Sequence, residues 1–210
     1  MTDAAGRRFV LATGNKHKVH EVTRILNSLG VDCEIVSMYE ACESTGVSIP
    51  DIVEDSATFT DNALIKARTI AQLTGQPALA DDSGLSVDAL GGMPGIFSAR
   101  WSGNHGDDAG NLNLVLAQLT DVPDGRRQAA FVCSVALVMP GFDGGSAAEL
   151  IGHGEVHGSL LHSPRGENGF GYDPIFVPDG FERTTAEMTA EQKDELSHRR
   201  RALEQLVAQL

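Results

Sequence analysis

Three stretches of this sequence predict an α/β fold built on a mixed β-sheet flanked by helices. Near the start, Phe9-Val10-Leu11-Ala12 is a short apolar run broken by Thr13-Gly14-Asn15. Val19, Val22, Ile25, Leu26 and Leu29 then recur at helical spacing up to Gly30, giving a strand, a tight turn and a helix. In mid-chain, the apolar approach Pro77-Ala78-Leu79-Ala80 reads as a buried strand that delivers Asp81 and Asp82 to a turn at its carboxyl end. Further on, residues 129–139 are apolar and rich in β-branched side chains. Residues 147–156 are expected to pair with them across Pro140-Gly141-Phe142-Asp143-Gly144-Gly145. Two strands joined by a short Gly-rich loop are antiparallel, so the sheet is mixed.

Length and composition bound the rest. A chain of 210 residues fits one domain, with or without two lobes, and can bury a substantial core. The formal net charge of −13 argues against a broad basic face for nucleic acid. It leaves room for a small anionic ligand, because a few clustered Lys and Arg residues reverse the field locally. Cys33, Cys42 and Cys133 are odd in number and unpaired in spacing, which fits reduced thiols in a cytoplasmic protein. The first nine residues are polar and carry no apolar targeting core, and no run approaches the ~20 apolar residues of a membrane helix.

The remaining elements follow in order. Residues 33–37 read as a second strand and residues 39–50 as irregular. A helix then carries Ala63, Ala67, Ile70 and Ala71 on one face, with Thr58 and Asp61 resembling a capping box at its start. Asn62 and Lys66 lie one turn apart on it, and Glu54 stands just before it. Gly91-Gly92-Met93-Pro94-Gly95 is a loop of very free backbone, open to reading as a lid, a dimer surface or plain structure. From Asp107 a helix carries Leu112, Val115, Leu116 and Leu119. Residues 174–178 form a short last strand, and Ser197 caps a final helix with Leu203, Leu206, Val207 and Leu210 as its buried stripe.

Four stretches carry candidate chemistry. Thr13, Gly14, Asn15, Lys16, His17 and Lys18 stand beside a helix N-terminus, where amide groups, the helix dipole and ammonium groups suit an anion. The same residues also fit a capped helix with solvated lysines. Asp81 and Asp82 are adjacent, so in an extended segment they point to opposite sides and take different tasks. A carboxylate there holds a hard cation or accepts a proton from water, unless the Asp-Ser-Gly run is only turn chemistry. Gly166-Glu167-Asn168-Gly169-Phe170-Gly171-Tyr172-Asp173 suits a loop close to a flat ligand, with Phe170 or Tyr172 stacked on a base or else tucked inward. His198 and Arg199 place cations in a first helical turn against the dipole, which points to a polar ligand nearby.

Together these motifs resemble a known family, the inosine triphosphate pyrophosphatases or non-canonical purine NTP pyrophosphatases (the HAM1-like proteins). The resemblance rests on Thr13-Gly14-Asn15-Lys16-His17-Lys18, Phe59-Thr60-Asp61-Asn62-Ala63 with Lys66-Ala67, and Asp81-Asp82-Ser83-Gly84-Leu85. It continues through Gly92-Met93-Pro94-Gly95-Ile96-Phe97-Ser98-Ala99-Arg100, Gly169-Phe170-Gly171-Tyr172-Asp173-Pro174 and Ser197-His198-Arg199, so it covers nearly the whole chain. It implies a single domain over residues 1–210 with an elongated mixed sheet, two α/β lobes and an active-site cleft between them. It implies hydrolysis of XTP, ITP or dITP to monophosphate and pyrophosphate, with Mg²⁺ and a homodimer. Asp82 would be the catalytic and metal-binding carboxylate, with Glu54 as a second metal carboxylate. Thr13, Gly14, Asn15, Lys16, His17 and Lys18 would hold phosphate, with Ser83 a substrate contact and Lys193 a further phosphate contact. Phe170, Gly171, Tyr172 and Asp173 would form the base loop, and His198 and Arg199 would meet the purine 6-oxo group.

Two other readings stand beside this one. A Maf-like pyrophosphatase for other modified nucleotides shares the general chemistry. A non-catalytic nucleotide-binding regulator is disfavoured by bare carboxylates beside a triphosphate, which are costly without a metal. A haloacid-dehalogenase-type phosphatase needs two aspartates spaced by one residue on the first strand, and residues 9–13 have none.

Overall fold

The computed structural model describes residues 7–141 and 147–210. Most of the N-terminal segment read for targeting, and the tip of the Gly-rich loop that begins at Pro140, therefore lie outside the described residues. The strands are β1 (Arg7–Leu11), β2 (Cys33–Ser37), β3 (Ala78–Val87), β4 (Gln128–Met139), β5 (Ala148–Leu160) and β6 (Phe176–Pro178). They form one six-stranded sheet in the order β2-β1-β3-β4-β5-β6. β1 is parallel to β2, with Leu11 opposite Ser37, and parallel to β3. β5 is antiparallel to β6, so the sheet is mixed as the sequence predicts.

The helices are α1 (Lys16–Ser28), α2 (Met38–Thr45), α3 (Phe59–Thr74), α4 (Asp108–Gln118), α5 (Ala190–Leu196) and α6 (His198–Val207). The Asn15 side chain caps α1, and Gly30 follows it at φ 71°, a conformation that costs a residue without Cβ nothing. Residues 38–45 are not irregular. Ser37 and Glu40 form a reciprocal capping box and Gly46 closes α2 in the left-handed region. Only half of the box expected on α3 is present. The Thr58 hydroxyl accepts from the Asp61 amide, but Asp61 turns its carboxylate to that hydroxyl. In α6, Leu203 and Leu206 are buried with Ala202, whereas Val207 is only half-buried and Leu210 lies past the end of the helix, exposed.

The largest departure concerns the acidic run. No turn follows Ala80: β3 continues through Asp81, Asp82, Ser83 and Gly84 to Val87. The strand tolerates two carboxylates because each meets an ammonium group, as described below. Gly84 is required because a Cβ there would collide with the Gly95 carbonyl and the Ser98 hydroxyl. The Leu85 amide donates to that same hydroxyl at 2.9 Å. Gly84→Ala is therefore expected to cost roughly 1–3 kcal/mol of stability as an overpacking defect, measured by chemical denaturation.

The chain divides into two compact units. The first comprises the described residues of Met1–Asp82, Ser134–His153 and Arg201–Leu210. Its core joins Val10, Val36, Met38, Leu64 and Ile70 to a layer of alanines, Ala63, Ala67, Ala71, Ala78 and Ala80. The small side chains let α3 lie close against the strands, which brings Asn62 and Lys66 to β3. The second unit comprises Ser83–Cys133 and Gly154–Arg200. Its core is larger in side chain, with Leu85, Leu112, Val115, Phe131, Leu160, Tyr172, Ile175 and Phe176. Arg127 is buried there with its guanidinium on the carbonyls of Leu119, Val122, Leu160 and Leu161. That arrangement satisfies the charge without a carboxylate and makes Arg127 a structural pin.

Candidate active site

In the first unit, the loop after β1 is ordered by its own side chains. The Asn15 amide N–H donates to Thr13 Oγ1 at 3.1 Å, and Asn15 Oδ1 accepts from the amides of His17 and Lys18. The first turn of α1 holds Lys16, His17 and Lys18 and no acidic residue. Lys16 and His17 are exposed, as is Gly14. Lys18 turns back and pairs with Asp81 Oδ2 at 3.0 Å, where the Asp81 side chain is almost wholly buried.

Asp82 points to other partners. Asn62 Nδ2 donates to Asp82 Oδ2 at 3.1 Å, and Lys66 Nζ lies 3.5 Å from Asp82 Oδ1 and 3.1 Å from Glu54 Oε1. The Ser56 amide donates to Asn62 Oδ1, which fixes the amide and sets which end faces Asp82. The division of labour expected for adjacent strand residues is thus visible: Asp81 serves Lys18, and Asp82 serves Asn62 and Lys66. Burial pushes the Asp82 carboxyl above its ordinary range, with Lys66 and Lys18 pulling it back and the Glu54 charge adding to the rise. For Lys66, burial works against the charge, but Asp82, Glu54 and Asp81 outweigh it and raise its pKa.

Three carboxylates against two ammonium groups leave a net negative charge of one in this cluster (−3 + 2). Among the described residues, no three His, Cys, Asp or Glu side chains converge as a ready-made metal cage. A site of two carboxylates completed by water and phosphate oxygens is what Mg²⁺ takes in nucleotide enzymes. Glu54 and Asp82 supply hard oxygen donors of that kind, and Lys66 between them marks a place where a cation is favoured. The residues present therefore fit Mg²⁺.

In the second unit, the Gly-rich loop is built around Asp173. Its carboxylate accepts from the Phe170 amide at 2.8 Å, the Thr185 hydroxyl at 2.7 Å and the Lys193 ammonium at 2.6 Å. Gly169 has φ 76°, and a Cβ on it would strike that carboxylate. The Lys193 ammonium also stands 4.7 Å from the centre of the Phe170 ring. Of the two aromatics, Phe170 is half-buried, whereas Tyr172 is packed inward. The Tyr172 hydroxyl donates to the Ser98 carbonyl at 2.9 Å, so its ring is core. Desolvation raises the Tyr172 pKa well above the ordinary phenol value. The Gly171 amide donates to Asp108 Oδ2.

The start of α6 supplies further buried donors in this unit. Ser197 caps the helix through the Arg200 amide. His198 stacks on Phe131 with ring centres 5.0 Å apart and planes 17° from parallel. Arg199 is 1% exposed and donates from Nη2 to Ser83 Oγ at 3.0 Å.

Residues 9–209 match the Ham1 family. The chain belongs to the Ham1 family. A Mycobacteroides abscessus protein named dITP/XTP pyrophosphatase is 50% identical over 204 residues, spanning 97% of this chain and 94% of the relative. A Streptomyces avermitilis protein of the same name is 49% identical over 200 residues, 95% of each. Among solved structures, a HAM1 protein from Coxiella burnetii matches with TM-score 0.81 and 42% identity, over 96% of this chain and 97% of its own. The nucleoside-triphosphatase / dITP/XTP pyrophosphatase of Mycobacterium abscessus matches with TM-score 0.73 and 50% identity, over 97% of both chains.

In this Ham1 chain the structure brings Lys18, Glu54 and Asp82 into one cluster, and Phe170, Asp173 and Lys193 into another. Ser83 and Arg199 meet directly, with His198 alongside on α6. Sequence reasoning gave Asn62 and Lys66 a shared face but no task, and the pairing with Asp82 supplies one. It missed Thr185, whose bond to Asp173 leaves no pattern in the chain.

Proposed function

We propose that this protein is a nucleoside-triphosphate pyrophosphatase. It hydrolyses XTP, ITP and dITP to the monophosphate and pyrophosphate, and so clears non-canonical purines from the nucleotide pool. Asp82 carries the reading. It is a buried carboxylate, raised in pKa, oriented by the Asn62 amide and faced by an ammonium group. Family membership and the names of close relatives support the same conclusion.

Asp82 accepts a proton from the attacking water, with Asn62 holding the carboxylate and Lys66 holding it ionised. Lys16 and Lys18 offset phosphate charge as pyrophosphate departs. Mg²⁺ is the proposed cofactor, with Asp82 and Glu54 as its carboxylates. When bound, it supplies charge neutralisation on the phosphate oxygens. In the second unit, the half-buried Phe170 offers a face for the base. His198 and Arg199 are donors matched to a 6-oxo group, whereas the 6-amino group of adenine leaves them unsatisfied. Lys193 is kept as a phosphate contact, and its pair with Asp173 ties it to the base loop.

A homodimer and a cytoplasmic location complete the proposal. No helix among the described residues is long and apolar enough to cross a membrane. Sedimentation reads the oligomeric state directly.

The deciding experiment is pyrophosphate release from ITP, XTP, dITP, GTP and ATP with and without Mg²⁺. Strong Mg²⁺-dependent release from the first three and little from ATP is expected, and low release from GTP, which shares the 6-oxo group, requires a further contact near the purine 2-position. Binding without release would favour the regulator. Release from a different modified nucleotide would favour a Maf-like specificity.

A further inference from the structure

Tyr39 belongs to the segment for which the sequence offered no role. β1 and β2 are parallel with Leu11 opposite Ser37, so both chains leave the sheet at the same edge. Ligands collect at the carboxyl edge of parallel strands. Thr13 and Tyr39 each stand two residues past that pair. The capping box fixes how α2 begins: the Ser37 hydroxyl accepts from the Glu40 amide at 3.2 Å, and Glu40 Oε2 accepts from the Ser37 amide at 3.1 Å. Met38 then enters the core, and Tyr39, about 100° further round the helix, faces outward with 57% exposure.

Its hydroxyl is nevertheless placed. A Cβ built on Gly14 would lie 2.9 Å from Tyr39 Oη, so the oxygen rests over the one residue of this loop that has no side chain. The neighbouring turn of α1 carries Lys16, His17 and Lys18. An exposed ring gains little from packing, which leaves the phenol O–H as the functional end.

We propose that the Tyr39 hydroxyl is an additional substrate contact that donates to the phosphate chain held by the loop Thr13, Gly14, Asn15, Lys16, His17 and Lys18. The proposal rests on reading that loop as the phosphate site. A hydrogen bond to an ionised oxygen is about twice as strong as a neutral one. Tyr39→Phe removes that bond and keeps the ring.

The test combines steady-state kinetics on ITP with calorimetric binding of inorganic pyrophosphate. Tyr39→Phe is expected to raise KM and weaken pyrophosphate binding by roughly three- to tenfold. The kcat, the thermal midpoint and inhibition by inosine, which has no phosphate, stay near wild type. Gly14→Ala displaces the hydroxyl and is expected to raise KM similarly. Equal pyrophosphate affinity in wild type and Tyr39→Phe, or no affinity in wild type, overturns the proposal. A wild-type protein that binds pyrophosphate through Tyr39 but releases none from any triphosphate would overturn the activity and keep the contact.

Discussion

Asp82→Asn is expected to remove turnover by at least roughly 10²- to 10⁴-fold, the usual contribution of a general base, while the protein stays folded. The replacement keeps shape and keeps an oxygen for Asn62 Nδ2, which donates to Asp82 at 3.1 Å in the wild type. It removes the proton acceptor and one proposed Mg²⁺ carboxylate together. Its effect on stability is the balance of two opposing changes. The Asp82 carboxyl is raised by burial, so its contribution is fully present below its unfolded pKa and is lost as pH rises through the folded value. At neutral pH the ionised form is the costly one, and asparagine avoids that cost. Lys66 loses one partner but keeps Glu54 at 3.1 Å. These two changes oppose each other, so the thermal midpoint of the metal-free variant should stay close to that of wild type. Pyrophosphate release and thermal denaturation measure the two halves, and near-normal activity would remove Asp82 from the mechanism.

The raised carboxyl also sets a pH dependence in the wild type. In the metal-free protein the Asp82 carboxyl should titrate above the ordinary carboxylate range, which a carboxyl-resolved NMR titration reads, and added Mg²⁺ should draw it back down.

Much of this was legible because periodicity and local chemistry agree. Val22, Ile25 and Leu26 mark the buried face of α1, and Asn15 and Gly30 mark its ends. The failures have physical causes. Asp81-Asp82-Ser83-Gly84 has the composition of a turn, yet it is strand. Lys18 and Lys66, distant in sequence, compensate the carboxylates, and Gly84 admits the Gly95 carbonyl. Nothing local announces such partners. The α2 helix is different, since its signal was present. Ser37 and Glu40 are spaced as a capping box with Gly46 beyond, but a helix of eight residues has too few apolar positions for periodicity to show.

The site divides in the same way. Motif residues such as Asp82 and Lys18 stand out by type and spacing, and the structure gathers both into one charged cluster, whereas the tasks of Asp173 and Tyr172 left no such mark. Both sit in a loop that reads as ligand-binding. The structure uses Asp173 to order that loop and Tyr172 to fill the core.

Lys66→Met should produce the second large effect. The methionine keeps most of the stem and removes the ammonium group that lies between Glu54 and Asp82. Breaking a buried ion pair from one side typically costs about 3–5 kcal/mol. Here the cost is expected to fall below that range, because Asp82 is already raised and escapes by taking a proton. That escape is what damages catalysis. Without the Lys66 charge the Asp82 carboxyl rises further, a larger share of it is protonated through its titration range, and kcat falls on the acidic side of the profile. Raising the pH re-ionises the carboxylate, so activity should partly return and the acidic limb should move to higher pH. Lys66→Arg keeps the charge and should leave the limb near its wild-type position even where kcat falls through altered geometry. Stability follows the sign of the Lys66 shift. Its folded pKa is raised, so its contribution persists through neutral pH and is lost as pH rises through the folded value. A wild-type pH profile for Lys66→Met would show that this ammonium group does not tune the base, and would leave Asn62 as a positioning partner.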